Sequence, residues 1–327
     1  MSDAAEPVVK AELLADGGAA ASDEEFFRSR PFLEAEGVTH SLRIAGDGVE
    51  LRAPLIVREV PGSDARDAAS PYGFPGFAIR ASDFHHPPGG SKSDAGLEAT
   101  GVDWSPTGLV SLFVRHTLDP PPLAGASERN VVQIADPELP RKSRGSDRNQ
   151  VNKNRRAGYE VRLARGPETS VEERAGFLAA YEETMRRTGA GERYFFGAAY
   201  FDQILDSPRS WLALAHAPGG EIAAASLLVR SDGFLHYYLS GSADPWLRDS
   251  PMKNVVSALV DFSTEEGLPL NLGGGIVRGD RLEEFKRGFA NREQTWRTSE
   301  IVCDRETYAR LSASRPETGF FPLYRSQ

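Results

Sequence analysis

Three consecutive glycines follow a short apolar run, and a lysine stands a little further on. The residues read Leu272-Gly273-Gly274-Gly275, then Asp280, Leu282, Phe285-Lys286 and Gly288-Phe289. Glycines after a buried strand let a backbone or a ligand approach closely and leave peptide amides unshielded. An ordinary tight turn has the same composition. Leu282, Phe285 and Phe289 recur at helical spacing, which predicts a helix with an apolar stripe turned to the core and Lys286 beside it. Such a lysine either snorkels to the surface or carries its charge into a cleft.

Other residues suit proton transfer or packing. His236-Tyr237-Tyr238 falls in a strand pattern, where alternation sends Tyr237 to one face and His236 and Tyr238 to the other. His116 and Asp103 are candidate general bases, although a strand histidine equally suits a packed, hydrogen-bonded role. The adjacent pair His85-His86 offers poor metal geometry and reads as solvent-exposed. The single cysteine, Cys303, excludes an internal disulfide and a cysteine-based metal cluster, and reads as a packed strand residue.

Charge is unevenly distributed. The chain of 327 residues carries a net −9, which argues against general nucleic-acid binding. Residues 141–156 nevertheless hold seven basic residues against one acid, so this segment is +6 and the remainder −15. A local basic patch on an acidic body fits one specific polyanionic partner. A solvated helix between domains has the same composition. No run approaches the ~18 apolar residues of a membrane span, and residues 1–24 lack the features of a signal peptide, so a cytoplasmic protein is expected.

The chain length suits two domains of roughly 150 residues. A disordered stretch is expected over 1–23, a first domain over 24–148 joined by 303–327, and a second over 149–302. Residues 24–33 read as a short helix and residues 42–46, 49–59 and 77–82 as strands, followed by a long loop over 82–108. Strands 109–118 and 130–136 precede a basic helix that ends at Gly158. Ser170 and Glu173 form a capping box for a helix over 171–188 that stops at Gly189. Residues 210–217, 221–230 and 234–242 read as a three-stranded antiparallel meander. A helix starting at Pro251 with Ser250 as its cap, a buried strand over 268–272, the helix carrying Lys286, a strand over 293–304 and a last helix at 306–311 complete the pattern.

The motif set resembles the Fem family of peptidoglycan peptidyltransferases and its GNAT-like relatives, which include aminoacyl-tRNA-dependent enzymes of peptide-antibiotic pathways. The family pattern, LGGG, a short loop, D-x-L and FK-x-GF, is matched at Leu272–Gly275, Asp280, Leu282, Phe285, Lys286, Gly288 and Phe289. Ser70-Pro71-Tyr72-Gly73-Phe74-Pro75-Gly76 is similar to its SPYGYPG loop, and Phe113-Val114-Arg115-His116 to its FVRLHP strand. Arg193-Tyr194-Phe195-Phe196 and Tyr200-Phe201 are similar to a further stretch of the family. The likeness covers roughly residues 24–300.

This resemblance implies an α/β (α+β) fold of two tandem GNAT-like domains with mixed, mainly antiparallel sheets. It implies a shared cleft, a C-terminal segment returning to the first domain, and no helical arm. An ordinary GNAT acetyltransferase holds the diphosphate of acetyl-CoA on an R/Q-x-x-G-x-G/A turn at a helix start. The corresponding residues Arg248-Asp249-Ser250-Pro251-Met252-Lys253-Asn254 lack those glycines. The implied co-substrate is therefore aminoacyl-tRNA, with no further cofactor and no metal, and the acceptor a peptide-type amine from a peptide natural product or a cell-wall precursor. Lys286 is assigned to the oxyanion or leaving group, with Tyr238 as a cleft hydroxyl and His116 as the base. Arg193 is the expected grip on an acceptor phosphate or carboxylate, with Arg28 and Arg30 as other candidates for that duty. Tyr194, Tyr72, Phe285 and Gly274 are further substrate contacts. Arg148, Lys153, Arg155 and Arg156 are expected to meet tRNA phosphates. A monomer is expected. The alternatives are a GNAT N-acyltransferase using acyl-CoA or an acyl-carrier protein, and a catalytically silent binding protein.

Overall fold

The computed structural model describes residues 9–46, 49–81, 97–98 and 101–326. In chain order the strands are β1 (Val9–Leu14), β2 (His40–Gly46), β3 (Val49–Glu59), β4 (Arg66–Ala69), β5 (Ala78–Ala81), β6 (Leu97–Glu98), β7 (Val102–Asp103) and β8 (Ser111–Arg115), followed by β9 (Leu123–Ala124), β10 (Ser127–Ala135), β11 (Glu160–Arg165), β12 (Ser210–His216), β13 (Ile222–Ser231), β14 (Phe234–Ser242), β15 (Leu270–Gly273) and β16 (Arg292–Val302). The helices are α1 (Arg30–Ala35), α2 (Gly145–Arg156), α3 (Val171–Thr188), α4 (Ala198–Leu205), α5 (Met252–Glu266), α6 (Arg281–Arg287) and α7 (Arg305–Ser312). The chain forms two compact units, one of residues 1–129 with 296–327 and the other of residues 130–295. The junction expected at 148/149 falls inside α2, and the return to the first unit comes at 296 instead of 303.

In the first unit the strands run in the order β16, β8, β4, β3, β2, β1, β7, with β5 also on β3. Pairing within this sheet is antiparallel except at β4–β8 and β1–β7, and β6 and β9 form a separate parallel pair. Leu42, Ile44, Leu51 and Leu55 on β2 and β3, with Leu112 on β8, are fully buried in its core. Disorder was expected up to residue 23, but Val9–Leu14 is a strand with five registered pairs to β2 and a parallel edge on β7. Its partners are remote in sequence, so the local composition does not reveal it. The short helix expected over 24–33 is split into a 3-10 turn at Phe26–Arg28 and α1, with Ser29 extended between them. Of the loop expected over 82–108, residues 82–96, 99 and 100 lie outside the described residues, as do His85 and His86. Residues 102–107 contain β7 and a 3-10 turn.

The tail of the first unit is tied down by a buried carboxylate. Asp67, fully buried, accepts from the Tyr324 hydroxyl (3.1 Å), pairs with Arg58 (3.0 Å) and receives both ends of the Arg325 guanidinium (2.5 and 3.0 Å). The Tyr324 hydroxyl also meets Ser111 at 2.7 Å.

The second unit is a sheet in the order β11, β12, β13, β14, β15, β10, flanked by helices and antiparallel except at β14–β15. Ser170 accepts from the Glu173 amide and Glu173 from the Ser170 amide, and Gly189 closes α3 in the left-handed region. The expected meander is present as β12–β14. Two local expectations fail. Ser250 is not the cap of α5: it takes φ +50 and Pro251 occupies the cap position. Leu282 does not face the core but is 42% exposed, because α6 ends at Arg287 and turns Glu283 and Lys286 inward instead. Among the described residues, no helix is long and apolar enough to cross a membrane.

Candidate functional site

The glycine turn is built by contacts on both sides. Gly273 adopts φ +78, and a Cβ on Gly274 would lie 2.5 Å from the Val131 carbonyl oxygen on β10. Only glycine fits that approach. Asn130 Nδ2 donates to the Gly275 carbonyl at 3.0 Å. Asp280 then gathers the loop, accepting from the amides of Ile276 (2.7 Å), Val277 (3.1 Å) and Glu283 (2.8 Å), which caps α6. The backbone donors, first that of Glu283, hold its carboxyl below the usual range. Glu283, itself buried, accepts from the Gly279 amide at 2.7 Å and pairs with Arg287.

Lys286 is buried to 9% exposure, and its Nζ donates to the Gly274 carbonyl at 2.7 Å. Loss of water pushes its pKa down from 10.5 to about 8, opposed only partly by Asp280. A group with that pKa is still about nine-tenths protonated at pH 7. An ammonium has three donors, of which Gly274 takes one. Lys286 and Gly274 are therefore in direct contact, whereas Phe285 turns to the core and stacks edge-on with Phe289 at 5.7 Å.

Tyr238 stands where two strands part. β14 and β15 pair only through Leu235–Leu270 and His236–Asn271. Tyr238 and Gly273 each lie two residues past the last pair on their own strand. A bulge sits there too, since Leu227 faces Leu239 and Leu228 faces Tyr237, leaving Tyr238 as the extra residue. The strict alternation expected for His236-Tyr237-Tyr238 thus breaks at Tyr238. Its hydroxyl meets that of Tyr200 at 3.2 Å, and Tyr200 stacks on Phe196 at 4.1 Å. Beside this aromatic group, Tyr181 donates to the Tyr194 carbonyl at 2.6 Å, and the exposed Arg193 lies 4.8 Å over the Tyr194 ring. Tyr200 belongs to the stretch that resembles the family, but the sequence assigned it no role of its own.

The basic segment has two faces. On α2, Asp147, Val151 and Asn154 are buried, while Arg148, Lys153, Arg155 and Arg156 are exposed and meet no carboxylate among the described residues. Arg148 donates to the Ser143 carbonyl at 2.7 Å. The inner face grips the start of α5. Gln150 (3.1 Å) and Asn154 (2.7 Å) donate to the Asp249 carbonyl, Asn154 also to Asn254 Oδ1 (2.8 Å), and Tyr159 to the Asp249 carboxylate (2.7 Å). The Asp147 carboxylate holds Lys253 at 2.9 Å. The amides of Lys253 and Asn254 are spent on the carbonyls of Ser250 (3.0 Å) and Pro251 (2.9 Å).

Of the first-unit candidates, His116 and Arg28 are packed inside the unit. His116 is 1% exposed, its Nε2 lies 2.8 Å from the Ser299 hydroxyl, and burial pushes its pKa down to about 4. A base must reach a substrate proton, so this ring is a packed structural residue. Arg28 is also buried, engaged by Asp23 (2.6 Å) and the Pro75 carbonyl (2.5 Å). Arg30 is exposed and pairs with Glu34 one turn on. Asp103 caps its own turn through Ser105. The loop carrying Tyr72 is fixed by Ser70, which donates to the Phe113 carbonyl through its amide and accepts from the Arg115 amide, and by Gly76. The Arg115 guanidinium lies 5.4 Å from the Tyr72 ring and 5.3 Å from Trp296. Cys303 packs against the core but lies one residue past β16 and not within a strand, and burial raises its thiol pKa to about 12.

Comparison with known proteins adds to this geometry. Residues 141–287 match the family described as an acetyltransferase (GNAT) domain. The fold is shared with FemX, at TM-score 0.55 and 11% identity over 82% of this chain and 89% of that one. It is also shared with L-PGS from Bacillus licheniformis, at TM-score 0.51 and 12% identity over 83% and 86% of the two chains. A third structure is the C-terminal domain of a putative lysylphosphatidylglycerol synthetase from Agrobacterium fabrum, at TM-score 0.52 and 14% identity over 83% and 86%. No curated protein matches the sequence. The chain thus has a mixed α/β, GNAT-like fold, shared with FemX, L-PGS and the putative synthetase domain.

Proposed function

We propose that the protein is an aminoacyltransferase that moves an amino acid from aminoacyl-tRNA to the amino group of a peptide-type acceptor. One observation carries the choice of donor: the start of α5, where an acyl-CoA enzyme would seat a diphosphate, is filled by the inner face of α2. The outer face of the same helix offers Arg148, Lys153, Arg155 and Arg156 to a polyanion. Each cation near a phosphate contributes through counterion release.

In this reaction the neutral acceptor amine attacks the ester carbonyl, a C–N bond forms, the ester C–O bond breaks, and the amine's proton ends on the departing ribose oxygen. The ester is already activated, so placement and charge stabilisation suffice, and no cofactor beyond the tRNA co-substrate is needed. Lys286, positioned by Gly274 and shielded from water, supplies the donors for the developing oxyanion or the leaving oxygen. The Tyr238 hydroxyl, held by Tyr200, lines the same end of β14 and β15. Arg193 on its Tyr194 platform is the grip on an anionic group of the acceptor. The protein acts as a monomer in the cytoplasm, without membrane insertion.

The test is incubation with charged and uncharged tRNA pools and a labelled amino acid, with peptide acceptors. Transfer that needs charged tRNA and is abolished by RNase supports this function. The match of residues 141–287 to an acetyltransferase domain favours a second reading, an N-acyltransferase using acyl-CoA or an acyl-carrier protein. Transfer that survives RNase and requires an acyl thioester selects it.

A further inference from the structure

A chain of buried hydrogen bonds runs from β14 to the glycine turn. His236 is 2% exposed and Asn271 1% exposed. The His236 Nε2 lies 3.3 Å from the Ser231 carbonyl, an acceptor, so Nε2 carries the proton. Nδ1 then accepts from Asn271 Nδ2 at 3.1 Å. That fixes the amide of Asn271 in one orientation, with its Oδ1 accepting from the Gly273 amide at 2.8 Å. Gly273 begins the left-handed turn whose next carbonyl, that of Gly274, receives Lys286 Nζ. Asn130 holds the far end of the turn at Gly275.

We propose that Asn271 and His236 are positioning residues for Lys286: Asn271 clamps the first amide of the glycine turn, and His236 sets the orientation in which it can do so. Burial holds His236 neutral, its pKa pushed down to about 4, so the donor–acceptor order along the chain is stable at neutral pH. Asn271 is the one amide side chain on a strand otherwise made of leucines and glycine, and a leucine there would leave both the Gly273 amide and the His236 ring unmatched. The inference deepens the assignment of Lys286 made above and rests on it for its meaning in catalysis.

The experiment reads Lys286 directly. The full-length protein is labelled with trace acetic anhydride across pH 6 to 11, and the acetylation of each lysine is followed by mass spectrometry, with Lys142 and Lys153 as internal references. Wild-type Lys286 is expected to titrate below the reference lysines, with a midpoint near 8. In Asn271→Leu and in His236→Leu the turn relaxes, Lys286 regains water and its midpoint rises by about one unit or more, toward the value of an ordinary lysine. His236→Gln keeps an N–H for Ser231 and an oxygen for Asn271, and returns the midpoint to near the wild-type value. A folded Asn271→Leu or His236→Leu protein with an unshifted Lys286 overturns the proposal, as does a His236→Gln protein that behaves like His236→Leu. If Asn271→Leu does not fold, the two His236 variants decide the matter alone. Loss of the transfer role is separately visible: a shifted midpoint together with normal transfer by Lys286→Ala removes Lys286 from catalysis and leaves its positioning intact.

Discussion

Replacing Lys286 by methionine separates a charge buried for chemistry from one buried for stability. The fall of its pKa from 10.5 to about 8 corresponds to about 3 kcal/mol by which the fold disfavours the charged amine, at ~1.4 kcal/mol per unit. Methionine removes that strain but leaves the Gly274 carbonyl without its donor, which costs about 1–3 kcal/mol. The two nearly cancel, so Lys286→Met should melt close to wild type at pH 7. The pH dependence has a definite sign. Between about 8 and 10.5 the unfolded chain holds the lysine proton and the folded chain does not, so wild-type stability rises with pH across this window by up to about 3 kcal/mol from this group. Below pH 8 that gain is absent. The variant should lose the rise, as read by urea unfolding at pH 7, 9 and 10.5. Its transfer rate should fall by about 10²–10³, the usual loss for one oxyanion donor. Turnover within about twofold of wild type would refute the catalytic role, and an unchanged stability profile would refute the burial argument.

Three further outcomes are expected. Reversing Arg155 and Arg156 to glutamate should weaken binding of charged tRNA and reduce the slope of log affinity against log salt by roughly 0.7–0.9 for each phosphate left without its cation, measured by fluorescence anisotropy between 50 and 200 mM salt. Asp67→Ala strands Arg325 and the Tyr324 hydroxyl, and should destabilise the first unit by about 3 kcal/mol, read by chemical denaturation. Gly73→Ala meets both a φ of +97 and the Phe27 ring, which the new Cβ would overlap, so a loss of at least about 2 kcal/mol is expected in the same assay.

Much was legible in the sequence where the determining contacts are local. The capping box at Ser170 and Glu173 fixes the start of α3, and alternation with short turns fixes β12 to β14, because the relevant partners lie within a few residues. The glycine triplet and Asp280 likewise announce their turn, since Asp280 reaches only amides close to it in the chain. Remote pairing decided the rest. β1 exists because β2 and β7 receive it; Arg28 and His116 are structural because Asp23, Pro75 and Ser299 enclose them. Sequence spacing placed Leu282 in the core, but only tertiary packing could turn Lys286 inward, since the carbonyl of Gly274 that meets it is set by the fold. The sequence by itself determined that a lysine follows a glycine turn. The tertiary structure decided that this lysine loses its water and touches that turn, because desolvation depends on everything packed around a group and not on its neighbours in the chain.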